Sequence, residues 1–302
     1  MAWFWRKPPP KNPQLPLTQP NEQQAFVKRA DPLALFPVTE EEHQRLEFQH
    51  HMMHSLLHGN YLAPLQDPLS ILDIGCGTGN WAIEMASAFP RANVVGVDIA
   101  RSPKHEKALE RLGNYVYVQA DIHQGLPFIA QQFSYVHIRF MTSAIPQPQW
   151  MLLLQEVERV THLGGWIELV DSLPAQQAGP MLRRVERWMT QSMSQRGIDP
   201  FHARFFDYDL EYMRLAHTVS RDIVTPLQIP SGRSIERLST LAVVNLQATV
   251  HALRPALLTL PGVSVPLFES TLDALQNELL QKQPPALMQF RCAYGQKTGS
   301  RR

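Results

Sequence analysis

Ile71-Leu72-Asp73-Ile74-Gly75-Cys76-Gly77-Thr78-Gly79-Asn80-Trp81 is the stretch on which the fold of this chain turns. Ser70–Ile74 is a short apolar run of strand length. Glycines at 75, 77 and 79 let the backbone turn sharply and approach a ligand without side-chain obstruction. A helix is expected from about Asn80 to Phe89, then a second buried strand at Asn93–Asp98, NVVGVD, ending in an acid. Strand, glycine turn, helix and strand ending in a carboxylate make a nucleotide-binding α/β unit, in which the acid is placed to accept both hydroxyls of a ribose.

Two ligand classes compete for such a loop. The dinucleotide fingerprint G-x-G-x-x-G seats a pyrophosphate on the helix N-terminus. Here the third glycine falls at 79, and position 80, where that fingerprint needs it, is Asn80. Asp73, two residues before the first glycine, would repel a pyrophosphate but attract an ammonium and a sulfonium. The pattern D-x-G-x-G-x-G therefore favours S-adenosylmethionine (SAM) over NAD. Glycine loops also serve as plain turns; the acids at 73, 98 and 121 weigh against that reading. Asp121 is placed to accept a hydrogen bond from an adenine amino group. Ile122 would pack on one face of the ring and Ile99 on the other.

Outward from this centre, Tyr115–Ala120, Phe133–Ile138 and Gly165–Val170 read as further buried strands, the last introduced by a Gly164-Gly165 turn. Their alternation with helical segments implies a parallel sheet covered on both faces. Residues 178–218, rich in Met, Arg and aromatics, look helical, so a lid insertion is expected over about 173–220. A strand resumes at Ile223–Ile229, helices follow from about Arg233 and over Leu267–Gln281, and Met288–Tyr294 is the closing strand. Before the core, Glu40 to Gly59 has helical spacing, within a cap over 23–67 that precedes a main domain over 68–302. Residues 1–22 are proline-rich and are expected to be a disordered tail.

A formal net charge of +1 with no long Lys/Arg run disfavours nucleic acid as partner. Cys76 and Cys292 are too few and too far apart for a disulfide framework, which points to a reducing, cytoplasmic setting. No apolar run reaches the roughly 18–20 residues that span a bilayer. Trp3, Phe4 and Trp5 could touch a membrane surface but form no signal peptide.

Taken together, ILDIGCGTGNWAIEMA, the acid of VVGVD and the Asp121-Ile122 pair resemble, in order, the motifs of class I SAM-dependent methyltransferases. A finer resemblance is to fungal regulators of secondary metabolism and bacterial small-molecule methyltransferases. It rests on EEHQRLEFQH at 41–50, Trp81, FSYVHIRF at 133–140 and CAYGQK at 292–297. The resemblance implies a Rossmann-like sheet of seven strands, the last antiparallel between the fifth and sixth. It also implies that the helix before the core closes over the cofactor. Gln49 and His50 would then face the SAM pocket, beside a loop comprising Asp73, Gly75, Cys76, Gly77, Gly79 and Trp81. His137 and Arg139 would sit near the methyl group or the methionine moiety.

Methyl transfer is an in-line displacement that positioning and desolvation can drive, so a base helps only where the acceptor must lose a proton. His50 and His137 are the candidates for that role. His50, His54 and His58, one turn apart, could suggest a metal, but no carboxylate accompanies them and no metal site is expected. Arg139 could instead pair with Glu168 or Asp171. His202, Phe205 and Tyr208 are candidate substrate-facing lid residues, with ordinary packing as the alternative. Ser172 after Asp171 argues against the metal-dependent catechol class, which carries Asp-Asn there. The expected activity is methyl transfer from SAM, yielding S-adenosylhomocysteine, to an O, N or C centre of a small organic acceptor. A SAM-binding regulator acting through partners, and a protein or RNA methyltransferase, are the alternatives.

Overall fold

The computed structural model describes residues 35, 36, 39–228, 235–281 and 284–299, so the expected tail over 1–22 lies outside the described residues. Helix α1, Glu40–Leu57, starts where Thr39 accepts a hydrogen bond from the Glu42 amide. Its first turn carries Glu40, Glu41 and Glu42, whose charges suit the positive end of the helix dipole. It stops at His58, which takes a left-handed conformation (φ 54°), and the Gly59 amide closes the turn on the His54 carbonyl.

The core follows as β1 Ser70–Ile74, α2 Asn80–Ala88, β2 Asn93–Asp98, α3 Pro103–Arg111, β3 Tyr115–Gln119, β4 Phe133–Arg139 and α4 Gln147–Val160. Then come β5 Thr161–Gln176, α5 Pro180–Ser194, α6 Phe206–Tyr212, β6 Ala216–Leu227, α7 Ile235–Ala252, α8 Arg254–Leu257, α9 Val265–Gln281 and β7 Ala286–Gln296. The seven strands form one sheet in the order β3-β2-β1-β4-β5-β7-β6. β1 lies between parallel β2 and β4, and β7 runs antiparallel between β5 and β6. This is the Rossmann-like sheet that the resemblance implied. The crevice at the C-terminal ends of β1 and β4, on either side of which the strand order runs outward, is where such sheets hold ligands.

Two strands differ from their expected extents. β5 begins at Thr161 and runs to Gln176, so Gly164 and Gly165 lie inside it, not before it. Gly164 (φ 82°) sits at a break in the β4–β5 register, and its amide donates to the Lys297 carbonyl while the Lys297 amide returns to Gly165. β6 begins at Ala216, seven residues before Ile223. Its first half is an edge strand whose His217, Thr218, Arg221 and Asp222 face solvent, which erases the apolar alternation that marks a strand. The helical insertion is correspondingly shorter, occupying α5 to α6. The far end of the expected strand to Ile229 and the expected helix start at Arg233 lie outside the described residues.

A separate apolar core joins the cap to the C-terminal helices. Met52, Met53 and Leu57 of α1 pack with Val185 of α5, Val243, Leu246 and Val250 of α7, and Phe268 of α9. These helices roof the C-terminal end of the sheet. Among the described residues, no helix is long and apolar enough to cross a membrane.

Candidate active site

Under this roof lies a cavity of about 380 Å³. At one end is the glycine loop. Gly75, Gly77 and Gly79 all have positive φ (69°, 54° and 83°). The Gly75 and Cys76 amides donate to the Val97 carbonyl, tying the loop to β2. Asp98 completes the tie: its Oδ2 accepts the Gly77 amide at 2.8 Å and its Oδ1 the Ala100 amide at 3.0 Å. Burial nonetheless raises the Asp98 pKa, because the carboxylate has left water.

Asp73 is buried, and its Oδ1 lies 2.8 Å from His137 Nδ1. The His137 ring stacks flat on Trp81, centroids 3.8 Å apart at 3°, and the Trp81 indole donates to the Asn60 carbonyl. Burial lowers the His137 pKa, so the ring is neutral, donating from Nδ1 to Asp73. From beneath the loop, His105 Nε2 reaches the Gly77 carbonyl at 2.9 Å and its Nδ1 the Tyr115 hydroxyl at 2.7 Å. Nothing in the sequence marks His105 for this role, because its partner carbonyl lies 28 residues away.

Helix α1 closes over the loop, with Leu46, Gln49 and His50 on the cavity wall. Lys104 of α3 secures it, reaching Glu47 at 2.5 Å and Asn80 at 3.1 Å. His50 Nδ1 is 3.0 Å from Arg139 Nη2, and its Nε2 is 3.0 Å from Glu84 Oε1. Burial lowers the His50 pKa, and the close His50 imidazole holds the Glu84 carboxyl down at about 2. His50 is thus a neutral spacer between a cation and an anion.

Arg139 is the cation, and burial lowers its pKa too. The two carboxylates considered for it are engaged elsewhere. Glu168 accepts the Leu62 and Ala63 amides, and Asp171 accepts those of Thr142 and Ser172. Arg139 Nη1 is buried without a hydrogen-bond partner, on the cavity wall. A half-buried guanidinium without a carboxylate partner, on the same cavity wall as Asp73, fits a ligand carrying both an ammonium and a carboxylate, as the amino-acid end of SAM does.

The far end of the cavity has different walls. Leu182, Met189 and Met193 of α5, Leu246 of α7, and Met288 and Phe290 of β7 make it apolar; Asp171, Glu186 and Asn245 supply its polar points.

Of the sequence-identified candidates, Gln49, His50, Asp73, Gly75 and Cys76 line the cavity, as do Gly77, Trp81, Asp98, Ile99 and Arg139. The others lie off its wall. Gly79 is the N-cap of α2 and underlies the loop. Asp121 accepts the His123 amide and caps a short 3-10 turn, and Ile122 packs into the core. His137 stands behind Asp73. His202 Nε2 is 3.0 Å from Asp209, which also accepts the Trp150 indole, while Phe205 and Tyr208 are exposed. It is Pro200 and Phe201 of that segment that reach the cavity. Thr78, Asn80, Met141, Glu186 and Asn245 also line it, though the sequence did not single them out. No group of three or more His, Cys, Asp or Glu able to hold a metal occurs among the described residues.

Residues 71–165 match a family model described as a methyltransferase domain. Methyltransferase str3 of Strobilurus tenacellus is 38% identical over 144 residues, which cover 47% of this chain and 49% of that protein. Methyltransferase str2 of the same fungus is 27% identical over 249 residues, covering 79% and 87%. The secondary metabolism regulator laeA of Coprinopsis cinerea is 32% identical over 143 residues, covering 45% and 34%. The match to str3 thus spans about half of that relative. Residues 71–165, which carry the glycine loop and the acid ending β2, are thus similar to a methyltransferase domain.

Proposed function

We propose that this chain binds SAM along the glycine loop and moves its methyl group to an O, N or C centre of a small organic acceptor held in the apolar end of the same cavity. The observation that carries this is that one cavity joins the glycine loop to a wall of different, mainly apolar chemistry. The loop end offers Asp73 to an ammonium, Arg139 to a carboxylate and Asp98 to a ribose. Bound SAM would supply an electrophilic methyl group on a sulfonium. The residues around it would fix its orientation and exclude water, which suffices for much of the rate.

In this reading His50 and His137 act as positioning residues. His50 faces Arg139 and Glu84 with its two nitrogens, and His137, whose Nε2 is buried and unpartnered, stands off the cavity wall behind Asp73, so neither presents a base to the acceptor. Methyltransferases and a regulator both stand among the relatives. The apolar pocket continuous with the loop favours turnover of a small molecule over a purely regulatory role, because an interaction surface has no need of an acceptor space beside the cofactor.

Calorimetric titration with SAM and S-adenosylhomocysteine, with NAD as control, tests the reading. Micromolar binding of the first two and none of NAD is expected. Asp98→Ala, which also unpins Gly77, should weaken binding about 100-fold, or about 2.7 kcal/mol. Binding of NAD, or an unchanged affinity in the variant, overturns the assignment.

A further inference from the structure

The far end of the cavity carries information about the acceptor itself. Among the described residues lining the cavity, the arginines and lysines number two, Arg45 and Arg139. Arg45 is engaged by Glu42 through two hydrogen bonds of 2.8 and 2.7 Å, both side chains buried on α1. Arg139 faces His50 at the loop end. The chamber wall presents two carboxylates, Asp171 and Glu186, and no arginine or lysine of its own; Arg183, off the wall, faces Glu186.

Those carboxylates are fixed. Asp171 accepts the Thr142 amide at 2.9 Å and the Ser172 amide at 2.7 Å; Glu186 Oε1 accepts the Ala175 amide at 2.8 Å. An anionic acceptor would sit against like charge in an apolar site, with nothing to pay its desolvation.

Asn245 supplies the second, independent observation. It projects from α7 into the chamber, is only 5% exposed, and its Oδ1 is buried with no hydrogen-bond partner. A buried carbonyl oxygen left bare is costly unless a ligand satisfies it. The ligand must therefore bring a hydrogen-bond donor. The rest of the wall, dominated by methionines that adapt their shape, rewards apolar surface.

We propose that the acceptor is a mainly apolar molecule that carries no negative charge and bears a hydroxyl or amine hydrogen-bond donor, and that Asn245 selects it by accepting a hydrogen bond from that donor. The proposal rests on the methyltransferase reading for calling this ligand the acceptor; the chamber's preference stands on its own walls.

The test uses three probes of one shape: para-phenylphenol, para-phenylbenzoate and para-phenylbenzylamine. Each is titrated into the full chain by calorimetry near neutral pH. The phenol and the benzylamine should each bind at least about tenfold tighter than the benzoate. Asn245→Leu should cost the phenol about tenfold and leave the benzoate little changed. Asn245→Ser, less demanding on packing, carries the comparison if the leucine variant does not fold. Glu186→Gln should raise benzoate affinity selectively. Benzoate binding as well as the phenol, an unaffected phenol in the Asn245 variants, or no binding of any probe overturns the proposal. S-adenosylhomocysteine is titrated into the same samples. Its failure to bind, with the phenol preference intact, would sink the methyltransferase reading and leave the chamber's selectivity standing; the reverse outcome would sink this proposal alone.

Discussion

Asp73 and His137 meet at 2.8 Å across the first and fourth strands, with the imidazole laid flat on Trp81. The two residues are paired in the β1–β4 register, so the sheet itself brings them together. A carboxylate buried at the cavity's edge would otherwise turn toward any donor within reach; His137 fixes which oxygen is left for a ligand.

His137→Ala should therefore weaken S-adenosylhomocysteine binding about tenfold. His137→Asn, whose amide nitrogen can stand near the Nδ1 position, should recover most of the loss. Because the ring does not touch the cavity, the pH profile of turnover should be unchanged in the Asn variant. Calorimetry of the pair decides the matter: an asparagine variant as weak as the alanine one would remove the positioning role.

The loop end of this site was legible in the sequence because its requirements are local. Three alternating glycines demand positive φ, and acids at Asp73 and Asp98 can be placed from the two strands that carry them. The far end was not, because Glu186 and Asn245 come from helices whose meeting over the sheet is a matter of packing. His202, Phe205 and Tyr208 have suitable chemistry, but the chain turns them away from the cavity and brings Phe201 inward. β6 escaped notice over Ala216–Asp222 for a related reason: a solvent-facing edge strand carries polar residues on positions that a buried strand would fill with apolar ones.

Two loop glycines should respond differently to alanine. At Gly79 a Cβ would fall 2.5 Å from His105 Cε1 and 3.1 Å from the Tyr115 hydroxyl, under the loop. At Gly77 it would approach Leu46 of the closing helix at 3.3 Å, on the cavity side. Both positions have positive φ, which strains alanine by about 1–3 kcal/mol. Gly79→Ala should show chiefly as a lowered melting temperature, and Gly77→Ala chiefly as lost S-adenosylhomocysteine affinity. Melting curves and titrations on both variants give the ranking, and a reversed order would mean that the loop's underside and cavity side have been confused.

Glu168 gives the fold a pH dependence of defined sign. It is fully buried in β5 and accepts the Leu62 and Ala63 amides, anchoring the segment that links the cap helix to the sheet. Burial raises its pKa to about 7, against the opposing pull of those amides. The folded state therefore holds this proton more tightly than the unfolded chain does. Its contribution is complete below the ordinary glutamate range and is lost as the pH rises through about 7. Asp171, raised to about 6 by burial, acts in the same direction, so the comparison must isolate Glu168. Glu168→Gln removes the titration while retaining one acceptor oxygen. The stability of the wild type relative to this variant should fall by on the order of 2 kcal/mol between about pH 5 and about pH 7.5. Urea unfolding of both proteins at the two pH values measures it; a constant difference would show that Glu168 stays ionised throughout and that its amide partners outweigh its burial.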